Sequence, residues 1–383
     1  MILCEHGPGG HPALFSGAAE VIIASAPQDV GPALARAEAA RRAGGWIAGY
    51  LAYEAGYALE PKLAALMPAT RPGPLLALGV FDAPQAADAA LALAAEQAPA
   101  ARLDPLQHQI TQADYDAAFD RVAAYIAAGD CYQINLTFPM RSRLAAGTAL
   151  GLYGALRARQ AVGYGMFCDL GVGPVVISRS PELFFRVTGG TISARPMKGT
   201  APRDPDPVRD AAIAAELQGS DKGRAENLMI VDLLRNDISR ISQVGSVKVP
   251  ELFAVEPFAT VHQMSSTVTG KLLAGADLPG LMAALFPCGS VTGAPKIRAM
   301  QIIREVEPHP RGVYCGAMGW ISPEGDACWN VAIRTLTLFA DGTITLNVGG
   351  GVVHDSTAQG EWEEALWKAR YAEGISAPPT ASA

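Results

Sequence analysis

Along this chain the spacing of apolar positions switches repeatedly between about two and about 3.6 residues, so strands and helices alternate. Residues 18–24 read as a strand, 32–43 as a helix and 45–51 as a second strand. Alanine and proline dominate 85–105 around a short Ala-Leu helix, and Asp104-Pro105 reads as a linker and a soft boundary. From 112 to 128, Tyr115, Phe119, Val122 and Ile126 recur at helical spacing. Gly129-Asp130 ends that helix before a β-like run, 131–138, whose alternate positions are polar. Further helices are expected over 220–234, over 279–286 with Pro279 in its first turn, over 294–307 and over 359–372. Strands are expected over 175–178, 331–339 and 343–348, with Asp341-Gly342 as a tight hairpin turn. The sum predicts an α+β protein with large, mostly antiparallel sheets. Residues 1–105 would form an N-terminal part of the sheet scaffold, 106–375 a catalytic region packed as one unit with it, and 376–383 a disordered tail.

Composition narrows the classes of function. A chain of 383 residues, half of them hydrophobic and 17% charged, can bury a large core. Its net charge of -7 argues against a sequence-independent nucleic-acid binder, which needs a basic face, so a small-molecule substrate is expected. Six cysteines are scattered without a C-x-x-C pair, which indicates neither a zinc site nor a disulfide framework. No apolar run approaches the roughly 18 residues of a membrane span, and the first residues lack the pattern of a secretion signal. The cytoplasm is the expected compartment, with no membrane partner.

Several constellations could carry chemistry. Lys198 lies in Arg195-Pro196-Met197-Lys198-Gly199-Thr200, a Pro- and Gly-bounded run expected to be a turn. Desolvation there would lower its pKa and make it a carbon nucleophile; taken alone, a surface or phosphate-binding lysine is the commoner reading. Glu226 on one helix, with Glu361 and Glu364 on one face of another, offers oxygen donors suited to Mg²⁺, although two solvated helix faces would look the same. Lys368, one turn after Glu364, suits an ion pair or a substrate contact. Gly289-Ser290-Val291-Thr292-Gly293-Ala294-Pro295-Lys296 fails as a nucleotide P-loop, because the glycine spacing is short and Ile297 replaces the required Ser/Thr. It reads instead as a turn offering amides and hydroxyls to an anion. Gly349-Gly350-Gly351 fails the dinucleotide pattern but lets backbone approach a ligand. Arg334, among apolar neighbours, calls for a carboxylate partner from protein or substrate.

Taken in order, these segments resemble the chorismate-utilising enzymes. The resemblance runs from Cys131 to Lys368 through Ser178-Arg179-Ser180-Pro181-Glu182, Arg224-Ala225-Glu226-Asn227, Ser290 to Lys296 and the glycine triplet. Leu14-Phe15-Ser16-Gly17 and Gly49-Tyr50-Leu51-Ala52-Tyr53-Glu54 are similar to the aminodeoxychorismate synthase branch. In that family the position of Lys198 is lysine in aminodeoxychorismate synthases and typically alanine in anthranilate synthases. The resemblance implies sheets packed face to face with helices outside. It implies amination of chorismate at C4 by ammonia, in 4-aminobenzoate and folate biosynthesis, with Lys198 as covalent nucleophile and Glu182 as general acid. Glu226 and Glu364 match direct Mg²⁺ ligands, and Glu361 a water-mediated one. Arg334, Tyr314, Lys368 and the amides of Gly349, Gly350 and Gly351 match carboxylate-binding groups, while His262 and Thr292 would lie near the ring. Gln133 stands where water-using members carry a lysine base, which points to a nitrogen nucleophile. A separate glutamine amidotransferase subunit is implied as the ammonia source. The competing expectations are an anthranilate synthase component I and a non-catalytic chorismate-binding subunit.

Overall fold

The computed structural model describes residues 1–257 and 261–375. The tail expected to be disordered, 376–383, lies outside the described residues. Among the described residues, alternation of apolar and polar positions is realised in two large sheets, of eleven and ten strands, whose strands pair antiparallel. The larger is built around the strand Gln133–Ala146, paired with Thr343–Val352 from Thr343↔Arg143 to Val352↔Ile134. It continues through Thr335–Leu338, Val175–Ser178 and Met166–Cys168 to Ile2–Cys4 and Ala13–Phe15. The smaller sheet runs from Met197–Pro202 through Val261–Lys271, Thr191–Arg195, Leu183–Thr188, Ala327–Val331 and Ala317–Ile321 to Trp46–Leu51, Leu76–Phe81 and Glu20–Ala24. Phe15, Cys4, Met166 and Val176 from the first meet Tyr50, Phe81, Met318 and Trp320 from the second in one buried cluster, so the sheets face each other. Each such fully buried large side chain stabilises by roughly 1.5–3 kcal/mol.

Helices cover the outer faces where the sequence supplies both a cap and an apolar stripe. Gln112–Ala127 begins at a capping box: Thr111 Oγ1 accepts from the Asp114 amide at 3.2 Å, and Asp114 Oδ2 accepts from the Thr111 amide at 2.9 Å. Ala358–Ala369 starts at Thr357, whose hydroxyl accepts from Gly360 N at 3.2 Å. Trp362, Ala365 and Ala369 point inward from it, Trp362 stacking on Phe138 with centroids 4.5 Å apart. That burial fixes the helix rotation and turns Glu361, Glu364 and Lys368 toward Thr343–Val352.

The structure departs from the sequence expectations at informative places. Lys198 lies not in a turn but in the strand Met197–Pro202, whose register against Val261–Lys271 slips between Met197 and Thr200, with Gly199 at φ +85°. Such a bulge re-aims a side chain without ending the strand. The strand expected over 331–339 is broken into Ala327–Val331 and Thr335–Leu338, because Arg334 takes φ +49° and the chain crosses from one sheet to the other there. The helix expected from 294 starts at Lys296, since Gly293–Ala294 adds instead to the edge of Gln133–Ala146. The stretch around Asp104-Pro105 is laid along that same strand, through Leu103↔Leu144 and Gln107↔Arg141.

A buried cation braces these parts. Arg311, 4% exposed, donates to Asn135 O at 2.6 Å, to Val291 O at 2.8 Å and to both oxygens of Glu307 at 2.7 and 2.8 Å. Glu307 Oε1 also accepts from Thr137 N at 2.8 Å, and Glu54 Oε1 accepts from Arg311 N at 2.7 Å. One charge network thereby holds the strand that carries Gln133.

Candidate active site

The site forms where the glycine triplet removes side chains from both faces of one end of Thr343–Val352. A Cβ at Gly349 would run into the carbonyl of Leu136, so close strand packing alone requires that glycine. A Cβ at Gly350 would meet Glu361 Oε2 at 2.5 Å, and one at Gly351 would meet Lys198 Nζ at 3.0 Å and Gln133 Cδ at 3.1 Å. The last two bare positions therefore let groups from a helix, from the other sheet and from the neighbouring strand converge on one backbone. Lys368 closes the same edge, donating to Gly349 O at 2.9 Å and pairing with Glu364 at 2.7 Å.

Lys198 is half-buried as a residue, but its amine end lies inside this convergence. Burial lowers its pKa, assisted by the Lys368 ammonium and opposed by the carboxylates of Glu226, Glu182 and Glu364. Glu182, buried behind Ser180, is shifted the opposite way: desolvation raises it, while a hydrogen bond from Ser290 and the two lysines pull it down. An amine drawn toward neutrality and a carboxyl drawn toward protonation lie within electrostatic reach of each other, which is the pairing that nucleophilic and acid chemistry needs. Glu182 Oε1 and both polar atoms of the fully buried Gln133 make no hydrogen bond among the described residues.

The acidic residues are less tightly gathered. Glu361 is raised by burial and by its neighbour Glu364, against a 2.7 Å hydrogen bond from Ser356 and the pull of Lys368 and Lys198. Glu226 faces Lys198 from the helix Asp221–Ser239. Among the described residues no three acidic, histidine or cysteine side chains converge closely enough to cage an ion. As a donor set, Glu361 and Glu364 beside Gly350, with Glu226 on a second helix near Lys198, still suit a hard divalent cation that keeps most of its waters.

Arg334 lies next to the acid in the chain trace, since its carbonyl accepts from Arg179 N at 2.9 Å while Val331 N donates to Glu182 O at 3.1 Å. Its guanidinium has no ion pair or hydrogen bond among the described residues, and burial lowers its pKa, opposed by Tyr371, without discharging it. The carboxylate partner that its sequence context called for is thus not supplied by the protein among the described residues. Three expected residues are not brought into contact with the lysine. His262 is bound at Nε2 by Asp210 Oδ1, 2.8 Å away. Thr292 turns its hydroxyl to Cys288 O at 3.1 Å, although its carbonyl accepts from Asn135 N. Tyr314 is buried, and no hydrogen bond joins it to the lysine cluster among the described residues.

The chorismate binding enzyme family matches residues 2–373. The chain belongs to that family. Aminodeoxychorismate synthase component 1 of Klebsiella aerogenes is 42% identical over 292 residues, 75% of this chain and 64% of its own length. Anthranilate synthase component 1 of Streptomyces coelicolor is 41% identical over 283 residues, 71% of this chain and 54% of its own. The crystal structure of anthranilate synthase component I from Streptococcus pneumoniae TIGR4 superposes with a TM-score of 0.78 at 26% identity, covering 94% of this chain and 91% of that one. The chain spans somewhat under two thirds of the length of the curated relatives it matches. No helix among the described residues is long and apolar enough to cross a membrane.

Within this family site, sequence reasoning passed over three supporting residues. Ser290 holds Glu182, Ser356 holds Glu361, and Arg311 braces the strand of Gln133. Ser290 lay in the turn read as offering hydroxyls to an anion but was not singled out, Ser356 carries no distinguishing local signal, and an arginine between Pro310 and Gly312 marks a fixed charge at a chain reversal.

Proposed function

We propose that this chain aminates chorismate at C4 with ammonia, giving 4-amino-4-deoxychorismate through a covalent lysine intermediate. The observation that carries the reading is the meeting of the Lys198 amine and the Gln133 amide over Gly351, with a protonation-prone Glu182 close enough to act on the lysine's charge. Lys198 attacks C2 of the ring as the C4 hydroxyl departs, and Glu182 gives that hydroxyl its proton, so water leaves. Ammonia then forms the new bond at C4 while the bond to Lys198 breaks, and Glu182 is reset by the proton the ammonia sheds. Two displacements preserve the face of attack. Gln133, neutral and unpartnered, accepts from ammonia without acting as a base. Arg334 binds a substrate carboxylate and Lys368 contributes charge beside Gly349.

Glu226, Glu361 and Glu364 would hold Mg²⁺, which when bound neutralises a substrate carboxylate and the crowded acidic groups. The ammonia source is proposed to be a separate glutamine amidotransferase, in keeping with relatives named as a component 1. The six cysteines are free and buried, which suits a reducing cytoplasm. A second reading, anthranilate formation with loss of pyruvate, is favoured by the relative of that name at 41% identity. Lysine at 198 is the feature that argues against it. Incubation with chorismate, Mg²⁺ and ammonium, with products resolved by mass, tests both. The expected product retains the enolpyruvyl group, and Lys198→Ala loses most of its formation while chorismate affinity changes far less. Anthranilate as the main wild-type product would replace the first reading with the second.

A further inference from the structure

Away from the lysine, a cavity of about 320 Å³ opens between the ends of the two sheets, large enough for one small ring. Strand Trp46–Leu51 contributes Tyr50, whose hydroxyl is buried and has no hydrogen-bond partner among the described residues. A Cβ added at Gly173 would sit 3.3 Å from that hydroxyl, so the bare glycine keeps the space in front of it open. From the opposite sheet comes Arg141, on the polar face of Gln133–Ala146 that also carries Pro139. Its guanidinium makes no ion pair or hydrogen bond among the described residues.

Other wall residues set the ligand class. Arg71 is tied to Pro68 O at 2.5 Å and Ser25 O at 2.9 Å, yet its Nε is buried without a partner. Pro72, Pro74 and Pro174 give rigid apolar surface that suits a flat ring. The one buried carboxylate in the wall, Glu54, is engaged by the amides of Arg311 and Gly312 at 2.7 to 3.3 Å. Burial raises it to about 7, which weakens its repulsion of an anion near neutrality.

We propose that this cavity is a second binding site, distinct from the Lys198 cavity, for a small aromatic carboxylate held by Arg141 and the Tyr50 hydroxyl with its ring against the prolines. The inference does not depend on which reaction the Lys198 site performs. The test is calorimetric titration of the full chain with benzoate, alongside inorganic phosphate and cyclohexylammonium. A ligand of this size should bind with a Kd of about a millimolar. Arg141→Ala should weaken benzoate by roughly tenfold or more and Tyr50→Phe by about fivefold, the ordinary range for a charged and a neutral hydrogen bond. Arg334→Ala, which alters the other cavity, should leave it unchanged. Loss of binding in Arg334→Ala but not in Arg141→Ala would assign the benzoate to the lysine site and overturn the proposal. So would phosphate binding as tightly as benzoate, or no heat at ~10 mM benzoate.

Discussion

Glu54 offers the most direct test of how the core handles charge. It is 2% exposed, and desolvation outweighs its backbone hydrogen bonds and the Arg311 charge, raising its pKa from 4.5 to about 7. A carboxyl raised on folding binds its proton more tightly in the native chain than in the unfolded one. Its contribution to stability is therefore fully present below about 4.5 and is lost as pH rises toward about 7. At 1.36 kcal/mol per pH unit, that interval corresponds to about 3 kcal/mol. Glu54→Gln keeps an acceptor for the Arg311 and Gly312 amides but cannot ionise. Urea unfolding of both proteins at pH 5, 6, 7 and 8 isolates the effect as a difference, since other titrating groups cancel. The expected result is that the wild type's stability relative to the variant falls by about 2.5 kcal/mol between pH 5 and pH 8, the first ~0.8 kcal/mol having been lost below pH 5. A difference that stays level, or that rises with pH, would refute the burial argument, because the first means that Glu54 ionises as readily in the fold as in water and the second that it ionises more readily.

Three further outcomes follow from the site. Gly351→Ala places a methyl 3.0 Å from Lys198 Nζ and 3.1 Å from Gln133 Cδ, so turnover should drop by roughly tenfold or more at an unchanged urea midpoint. A variant with wild-type turnover would remove Gly351 from the reacting space. Arg334→Lys should raise KM for chorismate by roughly tenfold, since an ammonium cannot reproduce a two-point grip on a carboxylate; an unchanged KM would show that Arg334 does not touch substrate. Dialysis against EDTA should abolish product formation and Mg²⁺ should restore it, with Glu364→Gln needing more Mg²⁺ for half-maximal rate; activity indifferent to chelation would dissociate the carboxylates from metal binding.

Much of the scaffold was legible in the chain because period and capping agreed with it. The helical spacing of Tyr115, Phe119, Val122 and Ile126 marked the helix Gln112–Ala127, and the polar alternation of Gln133, Asn135 and Thr137 marked the strand that carries them. The gathering of side chains around the glycine triplet was legible too, since three consecutive glycines in a strand are costly without a purpose. Reading failed where tertiary context overrides local signal. Nothing local says that Pro196 and Gly199 bracket a bulged strand, since that follows from pairing with Val261–Lys271. The break at Arg334 likewise depends on the crossing between sheets, which no run of β-formers announces. The pairing of His262 with Asp210, an acid more than fifty residues away in sequence, has no local signal either.

Trp46–Leu51 lies between Leu76–Phe81, available almost at once, and Ala317–Ile321, which emerges about 265 residues later. At a ribosomal pace of roughly 5–20 residues per second, its second edge waits on the order of ten seconds to a minute for a partner. Through that time an apolar ribbon stands open to any neighbouring nascent chain. Recombinant yield should thus respond to chaperone supply and growth temperature more than equilibrium stability suggests, and a slower ribosome would lengthen the hazard rather than relieve it.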